Sequence, residues 1–103
     1  MNQTASLTRQ MLEEILIEWE RSAISSLDIH LWAESQYLPL HRAIGPGETE
    51  AVRWAMHVIL NELDMANPKQ LNRHCARLAI QFLNTTDEEF TAREEAFLSC
   101  LLQ

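Results

Sequence analysis

Apolar residues recur along most of this chain at intervals of three and four. Leu12, Ile15, Leu16 and Trp19 fall at i, i+3, i+4 and i+7, which puts one apolar stripe on a helix predicted over residues 6–21. Glu13, Glu14, Glu18 and Glu20 lie mostly off that stripe. A turn follows at residues 22–26, then a short second helix capped by Ser25 or Ser26, with Asp28 in its first turn. Leu27 and Leu31 are expected to point inward there with Trp32 beside them, and the helix is expected to end near Gln36. The third helix, over residues 48–65, carries the longest stripe: Val52, Ala55, Met56, Ile59, Leu60 and Leu63. A stripe of that length reads as core, not as a binding groove.

The fourth helix has a strong start signal in Asn67 as N-cap, Pro68 at the first helical position and Gln70 three residues after the cap. Leu71, Cys75, Leu78, Ala79 and Phe82 would face inward. The fifth opens with Thr86-Asp87-Glu88-Glu89, a capping box, and continues with Phe90, Phe97, Leu98 and Leu101 at helical spacing. Only residues 84–86 separate the last two helices, so they should be antiparallel neighbours. Residues 37–47 form a linker. Pro39 disfavours helix at Leu38, and Gly45-Pro46-Gly47 makes a turn. Tyr37, Leu38, Leu40 and Ile44 predict that this linker packs against the core. No alternation of apolar and polar residues suggests a strand. The predicted fold class is all-α, a single-domain bundle of about five helices.

Composition narrows the picture. A chain of 103 residues can bury one core without staples, and 47% apolar residues is too many for a disordered chain. Uninterrupted apolar runs are short, as at residues 15–17 and 58–60, far from the ~20 needed to span a bilayer. The first residues, Met1-Asn2-Gln3-Thr4, show neither a basic nor an apolar leader region, so a cytoplasmic protein is expected. Cys75 and Cys100 form neither a disulfide framework nor a metal knuckle, and are expected to be reduced, buried thiols.

Charge adds a functional constraint. Fifteen acids oppose eight Lys and Arg, a net charge of −7, and Lys69 is the only lysine. That balance argues against binding nucleic acid or an anionic membrane, both of which need clustered cations. It favours encounter with a basic partner, although solubility alone also accounts for it. Six acids and one base lie in residues 13–34, and five acids and one base in residues 87–95. Residues 67–86 hold no acid, but Lys69, Arg73, His74 and Arg77. Arg73 and Arg77, one turn apart, either pair with an acidic helix inside the fold or contact a small anion or acidic peptide.

Candidate chemistry is sparse. His30 and Glu34 have i, i+4 spacing, but no second pair of metal ligands accompanies them, and an ordinary helical contact explains them. His57 follows Arg53 by four residues, which suits no metal. His74 and Cys75 are adjacent, about 100° apart on a helix, and cannot act on each other. His41 and Cys100 remain free to meet distant residues. Ser22, Ser25 and Ser26 lack a nucleophile elbow and read as turn and cap residues. No glycine-rich phosphate loop exists. The expectation is no enzyme, no metal and no cofactor.

Of the three tryptophans, Trp19 lies on the first stripe. Trp32 and Trp54 read equally as core filler or as interface anchors, large rings with a polar edge on an acidic surface. The residues expected to meet a partner are Glu13, Glu14, Glu18, Trp32, Glu34, Tyr37 and Trp54.

The segment Glu18-Trp19-Glu20-Arg21, followed by Ile24-Ser25-Ser26-Leu27-Asp28-Ile29-His30-Leu31-Trp32-Ala33-Glu34, resembles the helix–turn–helix opening of small bacterial helical immunity proteins, the antidotes encoded beside toxins. The likeness spans residues 18–34 and carries no binding residue across. It implies an acidic antidote that covers the basic active site of a toxin, often a nuclease. The expected function is therefore a non-enzymatic acidic binder that occludes a basic protein partner, as an immunity protein or a mimic of nucleic-acid charge does. The alternative is a structural or regulatory subunit whose apolar stripes pair in a homodimer.

Overall fold

The computed structural model describes residues 6–37 and 43–102, with the side chain of Tyr37 outside that set. The fold has five helices: α1 (Arg9–Glu20), α2 (Ser26–Tyr37), α3 (Glu50–Met65), α4 (Cys75–Leu83) and α5 (Phe90–Leu101). The all-α bundle expected from the periodicity is what forms, and no strand occurs among the described residues. Its centre is α3, which touches every other helix.

Local chemistry sets where the helices begin. The hydroxyl of Thr8 accepts the amide N–H of Met11 at 3.1 Å and starts α1 three residues later than residue 6. The hydroxyl of Thr49 does the same for Val52 at 3.2 Å, starting α3. At α2, Ser25 and Asp28 cap each other. The Asp28 N–H donates to the Ser25 hydroxyl at 3.0 Å, and the Ser25 N–H to the Asp28 carboxylate at 2.9 Å. Before α5, the Thr86 hydroxyl accepts the Glu89 N–H at 3.3 Å and donates to the Glu89 carboxylate at 3.0 Å, which closes a turn ahead of the helix; α5 itself begins at Phe90 and not at the capping box expected at Thr86.

The stripes of α1 and α3 are buried as their spacing requires. Leu12, Leu16 and Trp19 of α1, which rests chiefly on α4, share one core with Ala55, Met56, Ile59, Leu60 and Leu63 of α3 and with Phe82 and Phe97. Expectations for α2 and α4 fail. The first concerns α2, where Leu27 and Leu31 stand half exposed while Ile29 and Ala33 are fully buried. The apolar residues of this helix are spread over several sides with polar ones between them, so polar anchors choose its rotation. The His30 ring nitrogen Nδ1 lies 2.9 Å from the Leu63 carbonyl and must donate to it. The Ser26 hydroxyl donates to the Leu71 carbonyl at 3.0 Å and accepts the Trp19 indole N–H at 3.1 Å. His30 is therefore a partly buried tie between α2 and α3 and forms no pair with Glu34 among the described contacts.

The second failure concerns α4, which starts at Cys75 and not at Asn67. The Asn67 side chain accepts the Lys69 N–H at 3.0 Å and its carbonyl accepts the Gln70 N–H at 2.9 Å, closing a turn. Asn72 repeats the arrangement, its side chain accepting the His74 N–H at 2.9 Å. Between these turns Leu71 is buried, and its carbonyl receives Ser26. Arg73 consequently precedes α4 and does not share a helical face with Arg77. Within α4, Leu78 is only partly buried, and Ala76 and Leu83 lie deeper.

Cys75 and Cys100 form a disulfide, their Cα atoms 5.8 Å apart, so the expectation of reduced thiols is overturned. The antiparallel α4–α5 hairpin explains the pairing. From Cys75 to Leu83 a helix rises about 12 Å, and from Phe90 to Cys100 about 15 Å, which brings both residues to the open end of the hairpin. A bond across 25 residues removes about 3.5 kcal/mol of chain entropy from the unfolded state.

Of the linker, residues 38–42, including Leu38, Pro39, Leu40, His41 and Arg42, lie outside the described residues. Beyond them the chain lies against the N-terminal segment. The Leu7 N–H donates to the Ala43 carbonyl at 2.9 Å, and the Gly45 N–H to the Leu7 carbonyl at 2.9 Å. Ile44 packs on the core, as expected of this stretch. Gly45 sits at φ +68°, and a Cβ there would come within 2.7 Å of Arg53 Cγ and 3.1 Å of Met56 Sδ.

Two stability changes follow, both read by denaturant unfolding. Leu60→Ala should destabilise by about 2–5 kcal/mol, because Leu60 is fully buried at the centre of α3; a change under about 0.5 kcal/mol would refute its central place. Gly45→Ala should cost about 1–2 kcal/mol through its left-handed backbone alone, with the crowding against α3 adding to that. A variant as stable as the parent would show that the segment does not bear on α3.

Candidate docking groove

α3 and α5 are held apart along their outer sides, and a cavity of about 640 Å³ lies between them. Each helix contributes one row. Glu50, Trp54 and Val58 are spaced by four along α3; Phe90 and Glu94 are spaced by four along α5, with Asp87 in the turn before it. Side chains at those spacings stack on one helical face, so the two rows face each other across the groove. Trp54 is 57% exposed, the largest ring on the described surface. Phe90 forms the opposite wall and is braced from behind by Phe82, the ring centres 5.2 Å apart in an edge-on arrangement.

The groove carries net negative charge. Glu50, Asp87 and Glu94 line it, and none makes an ion pair or side-chain hydrogen bond among the described residues. No Lys, Arg or His lines it. On the other side of Trp54 a second cavity of about 520 Å³ is bordered by Ile44, Glu50, Arg53 and His57. Trp54 thus forms the ridge between two hollows, its ring centre 6.2 Å from that of His57. An aromatic face beside unpaired carboxylates suits a guanidinium or ammonium group, which stacks on the ring and pairs with the acids.

The residues expected to meet a partner are dispersed. Trp54 lies in the groove. Glu14 and Glu18 are exposed on α1, and Glu34 is exposed on α2. Glu13 is engaged inside the molecule: it accepts from Asn84 Nδ2 at 2.9 Å and pairs with Arg9 at 3.5 Å. Arg9 also reaches Asn84 Oδ1 at 3.0 Å and Glu48 at 3.6 Å, which fastens α1 to the α4–α5 turn. Trp32 is half-buried against the core and lines neither cavity at Trp54. Tyr37 closes α2, and its side chain lies outside the described residues. Of the acids of the groove, Asp87 and Glu94 belong to the acidic segment 87–95 seen in the sequence, whereas Glu50 was not singled out there. The signal was present: Glu50-x-x-x-Trp54 and Phe90-x-x-x-Glu94 each place an acid one helical turn from a ring.

Other candidate groups have structural roles. Arg77 pairs with Glu20 of α1 at 2.9 Å, the internal pairing expected of the basic segment. Ser25 caps α2 and Ser26 bridges α1 to the turn before α4. Cys75 and Cys100 bond to each other. No cluster of three metal-binding side chains occurs among the described residues, and no described helix is long and apolar enough to cross a membrane.

Glu89 lies at the start of α5, next to the groove residue Phe90. Hydrogen bonds from Thr86 and from Arg93, together with the positive charge of Arg93 at 3.0 Å, hold its carboxyl below the ordinary carboxylate range. The hydrogen bonds from Ser25 lower Asp28 in the same direction. A carboxyl lowered in the folded state stabilises the fold above its unfolded pKa, and this contribution is lost as pH falls through the lowered value. Comparison of the chain with known proteins found no matching family model, no matching curated protein and no matching solved structure.

Thermal melting gives the check. The parent should lose melting temperature as pH falls from about 7 to below the ordinary Glu value of about 4.3. Glu89→Gln should melt lower than the parent at neutral pH and converge with it in acid. A constant gap across that range would show that Glu89 does not act through its charge.

Proposed function

We propose that this protein is a non-enzymatic acidic binder that docks on a basic protein partner and occludes its cationic surface. An immunity protein or a mimic of nucleic-acid charge works in this way. The observation that carries the reading is the exposed ring of Trp54 set among the unpaired carboxylates Glu50, Asp87 and Glu94. An anchor ring in a concave site supplies short-range binding energy, and the surrounding acids select for a basic segment. Glu14, Glu18 and Glu34 would extend the negative field and speed encounter without entering the groove. The bacterial, cytoplasmic setting of a toxin antidote belongs to this reading through the resemblance of residues 18–34. A homodimer would need other surface than the stripes of α1 and α3, because these are buried within one chain.

The test uses a fluorescein-labelled oligo-arginine peptide as a stand-in for a basic segment. Binding should weaken steeply as salt rises, since exposed charges are screened over about 8–10 Å near physiological ionic strength. Trp54→Ala should lower affinity about tenfold or more, as loss of an anchor ring does. The paired reversals Glu14→Lys and Glu18→Lys should reduce mainly the association rate. Affinity indifferent to both salt and Trp54→Ala would overturn the proposal.

A further inference from the structure

We infer that Trp54 is an arginine-reading ring, through which the groove selects guanidinium over ammonium groups of equal charge. This rests on the docking reading above and names the side chain that the groove takes from a basic partner.

A field of carboxylates attracts any cation and does not by itself tell arginine from lysine. The ring can. The two sides of Trp54 are unlike. Arg53 and His57 border the hollow on one side; the groove toward α5 lies on the other, and no Lys, Arg or His lines it. Glu50 borders both hollows, but only the α5 side adds Asp87 and Glu94. A cation from outside is therefore opposed by Arg53 on the first side and drawn to the second. Glu50 precedes Trp54 by one helical turn, which sets their Cβ atoms about 5–6 Å apart. Glu94 comes from α5 and Asp87 from the turn before it. A flat cation laid on the indole points its N–H groups outward in its own plane, toward such neighbours. Guanidinium can thus stack with its face and pair with its edge at the same time. An ammonium group has no such division. Its donors point in tetrahedral directions, and it holds its water more tightly, so contact with a ring costs it more hydration. Val58 and Phe90 line the same groove and can receive the methylenes of an arginine stem.

Glu94 adds an independent observation. It is partly buried in the groove, yet it makes no ion pair or side-chain hydrogen bond among the described residues. Its neighbour Arg93 is taken up by the Glu89 carboxylate and by the carbonyls of Gln81 and Asn84. Glu50 opens α3 and Asp87 precedes α5, where a carboxylate also stabilises the positive end of a helix. Glu94 stands in the second turn of α5, outside that role. A partly desolvated carboxylate without a partner gains most from a cation that arrives with several donors in a fixed fork.

Fluorescein-labelled oligo-arginine and oligo-lysine peptides of equal length carry the same charge, so they separate the ring from the field. Both are titrated into the full chain at one salt concentration. The parent should prefer the arginine peptide about fivefold, the affinity equivalent of one stacked cation. Trp54→Leu removes the ring and keeps an apolar side chain at an exposed position, so it should melt with the parent. Its arginine preference should fall to about one while both peptides still bind through the acids. Glu94→Gln should weaken the arginine peptide more than the lysine peptide. Equal affinity of the parent for the two peptides overturns the inference and leaves the docking reading standing, as does an arginine preference that survives Trp54→Leu. Binding of neither peptide overturns the docking reading, and this inference with it.

Discussion

The buried face of α3 is the constraint on which the rest of the structure depends. Ala55, Met56, Ile59, Leu60 and Leu63 are removed from water by the other helices, and each neighbour is positioned by what it must cover. On the side of α3 turned toward α5 the row Glu50, Trp54 and Val58 is left outside the buried face. α5 covers the core through Phe97 and leans on α4 through Phe82, which leaves the space beside Trp54 open. The groove is therefore a product of the core arrangement. It is the place where the fifth helix finds enough apolar surface on α4 and does not close on α3.

Legibility in the sequence followed the contrast between a helix's two faces. α1 and α3 have one apolar face each, and their buried residues could be read from spacing. α2 has apolar residues on several sides, so the pair Leu27/Leu31 was as plausible an inward face as Ile29/Ala33. The decision lay in long-range hydrogen bonds from His30 and Ser26, which no local pattern contains. The start of α4 was misread for a different reason. Asn67-Pro68 is a good helix opening, but the same Asn side chain closes a turn equally well, and the burial of Leu71 with a second Asn turn at Asn72 made the turn the better solution.

The groove was half legible. Trp54 stood out as a ring off the main stripe, and the surplus of acid pointed to a cationic partner. That Asp87, Phe90 and Glu94 would face it depended on how α5 crosses α3, a tertiary fact. Glu13 shows the converse. On a helical wheel it is one acid among several, but Asn84 and Arg9 from distant parts of the chain claim it. The disulfide required both the antiparallel hairpin and the two helix lengths to be known together.

The three tryptophans end up in three environments: Trp19 fully buried with its indole N–H bonded to Ser26, Trp32 half-buried, and Trp54 largely in water. Their emission is therefore partitioned by place. Light from Trp19 is tied to the integrity of the α1–α2 corner, and a water-borne quencher reaches Trp54 first. The molecule thus carries two intrinsic optical reporters, one for its core and one for its groove, and an added label is not needed to tell unfolding from occupancy.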